Sequence, residues 1–249
     1  MKPSEVRERA QREPVAPKRE VTAGDMLAGD QFARREWQAR IEQGDNTLAR
    51  LAAAHSAFHQ GHKNLRAATQ TRDPEATPEA HFMRTRKMGE DWVKRSGDQA
   101  SRALEFARTE IDSERRKLVE DLGLVEDHRA SEVRGMMRGL KDQERMKLLQ
   151  EAIEGGDAAT IAAVTAAPAY LSGLSSERAQ ALRRQYEQRH AAERLARIDT
   201  LTKAAEVVDT TLSQAVVFQA ELHPQHRAAE IEAKQKAARD MQAKLNAPI

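Results

Sequence analysis

The chain has 249 residues, 39% of them hydrophobic and 32% charged, and a formal net charge of only +2. It contains no Cys and only 4% aromatic residues, which excludes disulfides and thiolate metal sites and argues against a large β-sheet. No apolar run is long enough to span a membrane, and the charged N-terminus lacks the apolar stretch of a secretory signal. The composition therefore predicts an all-α chain that is not secreted by a signal peptide.

The first predicted elements are an arm and a long helix. Residues 1–24 contain three Pro residues and little apolar material, which predicts an extended or disordered N-terminal arm. A long-helix region is predicted over residues 25–154, and its first helix spans residues 25–71 with Asp25 as a candidate N-cap. Along this helix, positions separated alternately by four and three residues form a heptad seam. The seam consists of Trp37, Ile41, Gly44, Leu48, Leu51, His55, Phe58, His62 and Leu65.

A second helical stretch completes the long-helix region. The run 71–80 separates it from the first helix, because the two Pro residues in this run cannot continue a helical hydrogen-bond ladder. Leu104, Ile111, Leu118 and Val125 repeat at seven-residue intervals, as expected for one face of a helix. Glycine weakens a helix interior by roughly 1 kcal/mol relative to Ala, so we expect a kink or break between Gly123 and Gly139.

A short helix and a junction are predicted over residues 155–175. Two consecutive Gly residues end the preceding region, and Asp157 is a candidate N-cap for a helix that Pro168 terminates. Ser175 or Ser176 is the candidate cap of the following helix. The apolar junction residues expected to pack against a bundle end or a partner are Tyr170, Leu171 and Leu174.

Residues 176–249 predict a C-terminal long helix plus a terminal helix. The long helix covers residues 176–222, and residues 225–246 follow it after a His-Pro break. A second heptad seam consists of Ile198, Leu201, Ala205, Val208, Leu212, Ala215, Gln219 and Leu222. Two such helices predict an elongated helical bundle or coiled coil. Small and polar residues in the seams reduce the apolar surface that one chain can bury. Self-association is therefore expected to bury additional apolar surface.

Histidines on the first helix are the candidate metal ligands. His55, His59 and His62 follow i, i+4, i+7 spacing, and imidazoles four residues apart on one helix face can bind zinc. The alternative is that His55 and His62 are polar layers of the seam, which set the register of helix pairing. The chain lacks a His-Glu-x-x-His motif, and this second interpretation is preferred. We therefore predict no metal and no other cofactor.

Signatures of catalysis are missing from the sequence. It contains no G-x-S-x-G motif, no phosphate-binding Walker loop and no G-x-G-x-x-G motif. The carboxylates Glu110, Asp112 and Glu114 lie close together in sequence, but acid-base work requires a partly dry cleft, so we expect them to be solvated. The sequence thus predicts a protein that is not an enzyme.

Positive charge is dispersed along the chain. Short basic clusters at residues 84–87, 115–117 and 183–184 are interleaved with acids and have few aromatic neighbours. Binding to nucleic acid requires clustered positive charge and, for single strands, aromatic stacking platforms. Association with nucleic acid is therefore the alternative function and not the preferred one.

One segment carries a resemblance. Residues 152–190 contain Gly156-Asp157, Ala167-Pro168, Tyr170 and the run Leu171-Ser172-Gly173-Leu174. In this order the segment resembles an uncharacterised family encoded among the virion structural genes of tailed bacteriophages and prophages. The resemblance covers about a sixth of the chain and includes no catalytic motif. It implies a virion-associated or assembly protein.

Together these features predict a non-enzymatic structural or assembly protein. We expect an oligomeric helical subunit of a larger particle such as a bacteriophage virion, serving as a connector, a scaffold-like component or an internal component. Its expected partners are copies of itself and other virion or assembly proteins, and its expected location is the host cytoplasm during assembly or the virion. The alternative is a nucleic-acid-associated helical protein inside a capsid. The predicted interface residues are Trp37, Leu48, Leu51, Phe58, Tyr170, Leu174, Ile198, Leu201 and Leu212.

Overall fold

The structure, a computed structural model, describes residue 32 and residues 34–246. Every regular element in these residues is helical, which confirms the predicted all-α class. The helices are α1 (Arg35–Glu42), α2 (Asn46–Gln70), α3 (Pro78–Asp121), α4 (Ala130–Gly139), α5 (Asp142–Gly155), α6 (Ala158–Thr165), α7 (Ser176–His190), α8 (Ala192–Leu222) and α9 (Gln225–Leu245), with a 3-10 turn at Ala169–Ser172. In this part of the chain, no helix combines the length and apolarity needed to cross a membrane. The predicted arm at residues 1–24 and the cap at Asp25 lie outside the described residues.

Helix boundaries at the Pro-containing linker follow the predicted signals. Pro78 is the first residue of α3, where its fixed φ suits a helical first turn and its missing N–H leaves no donor unpaired. The Thr77 hydroxyl oxygen accepts a hydrogen bond from the backbone N–H of Ala80 at 3.1 Å and caps this helix. The break predicted between Gly123 and Gly139 is also confirmed, because residues 122–129 separate α3 from α4. Val125 lies in this linker and is exposed, so its predicted place in the seven-residue repeat is wrong.

The single helix predicted over residues 25–71 is wrong in its described part. The chain leaves the helical conformation at residues 43–45, and Gly44 has a φ of +93°, a region that residues with a Cβ rarely adopt. The Asp45 carboxylate then accepts a hydrogen bond from the Leu48 N–H at 3.2 Å and starts α2. The predicted seam therefore does not continue unbroken from Trp37 to Leu48.

The single helix predicted over residues 176–222 is also wrong. α7 ends at His190, and Ala191 has φ −145° and ψ 37°, outside the helical region. The His190 ring nitrogen Nε2 lies 2.8 Å from the carbonyl oxygen of Ile153, which attaches the end of α7 to α5. No Gly or Pro lies at this break, so it depends on a contact between residues distant in sequence.

Contacts divide the described residues into two units. The larger unit comprises residue 32 and residues 34–57 and 95–210, and the smaller unit comprises residues 58–94 and 211–246. Each unit thus combines residues from the predicted long-helix region with residues from the C-terminal region.

An apolar core within the larger unit joins the ends of α3 through α7. Its largest buried side chains are Leu124, Met137, Leu149, Ile153, Ile161, Val164, Leu174, Leu182 and Tyr186. Asp157 caps α6 by accepting from the Thr160 N–H at 3.1 Å, and Ser175 caps α7 by accepting from the Arg178 N–H at 3.3 Å. Both predicted caps are confirmed.

A buried arginine ties this core together. Arg145 is only 6% exposed, and its guanidinium donates hydrogen bonds to the carbonyl oxygens of Met137, Leu140 and Gly173 at 2.6–2.7 Å. Asp142 supplies a carboxylate at 2.8 Å. Gly173 has a φ of +71°, and a Cβ at this position would approach the guanidinium to 3.0 Å. The Leu-Ser-Gly-Leu run of the resemblance is thus a packing element of this chain.

Aromatic rings and histidines form the core of the smaller unit. Trp92 packs edge-on against Phe58 and Phe218, with ring centroids 6.4 Å apart in both pairs. His62 packs edge-on against Phe218 at 4.6 Å. The indole of Trp92 lies directly over Gly61, whose missing side chain allows this close approach.

The last helix extends this core at its first turns. The His223 ring lies 5.4 Å from the Phe82 ring, and its Nε2 is 3.0 Å from the Thr85 hydroxyl oxygen. Phe82 then forms a small apolar cluster with Ala228 and Ile231 of α9. The described N-terminal half of α9 is therefore packed through its apolar side.

Burial along α8 differs by one residue from the predicted seam at three positions. The buried residues include Ala204, Thr211 and Phe218, whereas the prediction named Ala205, Leu212 and Gln219. Ile198, Leu201, Val208 and Ala215 are buried as expected. Burial of the large Phe218 ring in place of the amide of Gln219 accounts for part of this rotation.

Candidate functional site

The C-terminal half of α9 is the most exposed helical segment among the described residues. Ala228 and Ile231 are buried, but every residue from 232 to 246 is exposed. Met241 and Leu245 are 64% and 81% exposed. Isolated helices of this length are marginal in water, because most helical stability in proteins comes from packing of an apolar face.

The exposed part of α9 has a narrow apolar side, which Lys234 interrupts. Ala238, Met241 and Leu245 continue the helix face on which Ile231 is buried. On the opposite side, a row of alternating charge occupies every fourth position, namely Glu232, Lys236, Asp240 and Lys244. Such i, i+4 pairs support a solvated helix face. We call Ala238, Met241 and Leu245 the α9 stripe, and no described residue covers it.

A charged cleft lies in the larger unit. It has a volume of about 680 Å³ and is bordered by the α1–α2 turn, the end of α3 and the α7–α8 junction. Its charged lining residues are Arg40, Asp45, Glu114, Asp121, Glu193, Arg194 and Arg197. Positive and negative side chains therefore alternate within it.

Ion pairs occupy most of this cleft. Arg194 contacts Glu114 at 3.0 Å and also binds Asp121, while Arg197 contacts Glu110 at 3.3 Å and Asp45 at 3.7 Å. Glu114 is only 6% exposed, so the expectation that this carboxylate is solvated is wrong, because arginine partners replace its water. The cleft is best described as a network that connects α3 to α8.

Most predicted interface residues are buried within the chain. The buried ones are Trp37, Leu48, Leu51, Phe58, Leu174, Ile198 and Leu201. Leu212 is half-buried, and Tyr170 is 71% exposed. Burial gives most of this set a role in the core of the chain, while their role between chains stays a prediction.

The three candidate histidines occupy different surroundings. His55 is buried beside Phe32 with ring centroids 5.1 Å apart, His62 is buried against Phe218, and His59 is half-buried. Among the described residues, no group of three or more His, Asp or Glu side chains is arranged to hold a metal ion.

Two histidines of the smaller unit, His62 and His223, have lowered pKa values. Burial lowers the pKa of His62, and the positive charge of Arg66 and the nearby His59 add to this effect. Burial also lowers the pKa of His223, with a further contribution from Arg86. Glu90 opposes this shift, and His81 adds to it. His62 Nε2 and His223 Nδ1 are buried without a hydrogen-bond partner, which favours the neutral rings.

Each of the short basic clusters seen in the sequence includes at least one ion pair. Arg86 pairs with Glu90 at 2.9 Å and with Glu232 at 3.4 Å. Arg183 pairs with Glu187 at 2.8 Å. The sequence does not indicate a groove that is lined by Arg50, Arg95 and Arg102, because these residues come from two different helices.

Comparisons with protein-family models, with curated proteins and with solved structures gave no match for this chain.

Proposed function

We propose that this protein is a non-enzymatic structural or assembly protein. It acts as an oligomeric helical subunit of a larger particle such as a bacteriophage virion, as a connector, a scaffold-like component or an internal component. Other virion or assembly proteins are its partners, and the host cytoplasm during assembly or the virion is its location. The resemblance of residues 152–190 to a family of phage structural genes supports the choice of particle.

The observation that carries this proposal is the uncovered α9 stripe. Its residues Met241 and Leu245 are large, apolar and exposed, and they continue a face that is already buried at Ile231. Pairing two copies of this face as a coiled coil would bury apolar surface at roughly 25 cal/mol per Å² and would stabilise the exposed half of α9.

Membership of a particle is tested by composition. Particles released by the source of this chain are purified on a density gradient, and their peptides are quantified by mass spectrometry against the starting lysate. We expect this chain in the particle fraction at a fixed ratio to the main shell protein, or in precursor particles if it acts as a scaffold. Recovery only in the particle-free fractions, for mature and precursor particles alike, would refute the proposal.

A further inference from the structure

A groove with unbalanced positive charge lies in the larger unit. It has a volume of about 490 Å³, and α2 contributes Arg50 while α3 contributes Arg95, Asp98 and Arg102. Its lining thus includes three arginines and one carboxylate, whereas the cleft beside Arg194 is lined by similar numbers of each charge. All three arginines are exposed. Arg95 and Arg102 are seven residues apart, so they lie on the same side of α3.

Two of these arginines are available to a ligand. Arg102 donates from Nε to the backbone oxygen of Asp98 at 3.1 Å and forms no ion pair with any residue that the structure describes. The Arg50 guanidinium lies over the Phe106 ring at 4.3 Å from its centroid, and its Nε is 3.5 Å from the Asn46 side-chain oxygen. Within the described chain, no carboxylate neutralises Arg50 either. The ring beneath it restricts the orientation of its planar fork.

We propose that this groove binds the phosphate backbone of single-stranded nucleic acid. The guanidinium fork matches two phosphate oxygens at once, which a lysine ammonium cannot do. Seven residues of helix separate Arg95 from Arg102 by about 10 Å at 1.5 Å per residue. The groove is thus long enough to follow a short stretch of backbone.

An aromatic ring beside the groove favours nucleic acid over an acidic peptide. Phe106 is 36% exposed and lies four residues beyond Arg102 on α3. Bases stack on guanidinium planes as well as on aromatic rings, and Phe106 supports the guanidinium plane of Arg50 from below. The carboxylates of an acidic peptide would interact only with the charges of the arginines. The inference goes beyond the proposed structural function and does not depend on self-association through α9.

The test is binding of a fluorescently labelled single-stranded oligonucleotide to the full chain, measured by anisotropy over a range of salt concentrations. The variant Arg50→Ala/Arg102→Ala removes the two available cations. The matched control Arg116→Ala/Arg239→Ala removes two exposed arginines outside the groove. Circular dichroism shows whether both variants retain the helical content of the parent chain.

We expect the groove variant to bind at least about tenfold more weakly at low salt, and the control variant to change less than about threefold. Loss of two phosphate contacts should reduce the slope of log affinity against log salt by about 1.4, at about 0.7 per contact. Poly-glutamate should compete far less well than unlabelled oligonucleotide. Absence of oligonucleotide binding at low salt, equal losses in the two variants, or equal competition by poly-glutamate would each overturn the proposal.

Discussion

Gly61 lies in a helix at a position where any side chain would collide with the indole of Trp92. A Cβ there would lie 2.0 Å from Nε1 of Trp92, so the indole or the helix would have to move. Gly135 is the matched opposite case, because a Cβ there meets nothing within 4 Å. The same substitution therefore tests packing at one site and helix propensity at the other.

Replacing Gly61 by Ala should lower the free energy of unfolding by about 1–3 kcal/mol, the usual cost of overpacking a filled core. Replacing Gly135 by Ala should raise it by about 0.5–1 kcal/mol, because Ala is the better helix former. Urea unfolding followed by circular dichroism measures both values. Equal or greater stability of the Gly61→Ala variant would contradict the packing of Trp92 described above.

Buried histidines make the smaller unit sensitive to acid. Both His62 and His223 have pKa values lowered below the usual value of about 6.5, chiefly by burial. The unfolded chain therefore binds more protons than the folded chain as the pH falls below about 6.5. Stability should be fully present above this pH and should decline as the pH falls towards the folded pKa values.

Thermal unfolding at several pH values between about 8 and 5 measures this decline. The variant His62→Gln/His223→Gln should show a flatter profile, because it removes the two groups that gain protons on unfolding. His226→Gln serves as the control, since His226 is exposed. A melting temperature independent of pH in the parent chain, or an unchanged profile in the double variant, would contradict this account.

At the scale of elements, Arg145 holds α4, α5 and the 3-10 turn together. Replacing it by Met would leave three carbonyl oxygens without their donor and should lower the free energy of unfolding by about 3 kcal/mol or more. Arg178 provides the control, because its ion pair with Asp142 is exposed and is expected to contribute less than about 1 kcal/mol. Comparable stability of Arg145→Met and Arg178→Ala in urea unfolding would argue against this role.

Helix boundaries show which information is local. Asp157 and Ser175 were predictable as caps, because each side chain bonds to a backbone N–H three residues ahead. The break at Ala191 was not predictable, since it depends on the contact between His190 and Ile153. Gly44 was visible in the sequence, but the seam pattern favoured placing it inside a helix.

The candidate sites likewise depend partly on local sequence and partly on contacts between residues distant in sequence. The sequence shows few large apolar residues in α9, but which of them are exposed depends on where Phe82 and the rest of the smaller unit end. The arginine groove was not foreseen, because Arg50 and Arg102 are distant in sequence and meet only when α2 and α3 are placed. Residue spacing along one helix cannot report such a pairing.

At the scale of the whole molecule, the proposed function requires that copies of this chain associate through the α9 stripe. Replacing Met241 and Leu245 by Glu would put charge on this face, and the exposed half of α9 offers no other described contact that the change would break. Val125 and Met136 are 61% and 53% exposed elsewhere in the chain, so Val125→Glu/Met136→Glu is a control with the same change of charge.

The most direct test is the mass in solution, measured by light scattering across protein concentration for the parent chain and both variants. The account predicts that the parent chain and the control form a discrete oligomer, with a mass that is a multiple of 27.9 kDa, while Met241→Glu/Leu245→Glu remains a monomer. A monomeric parent chain at every concentration, or an oligomer that both variants retain, would contradict it.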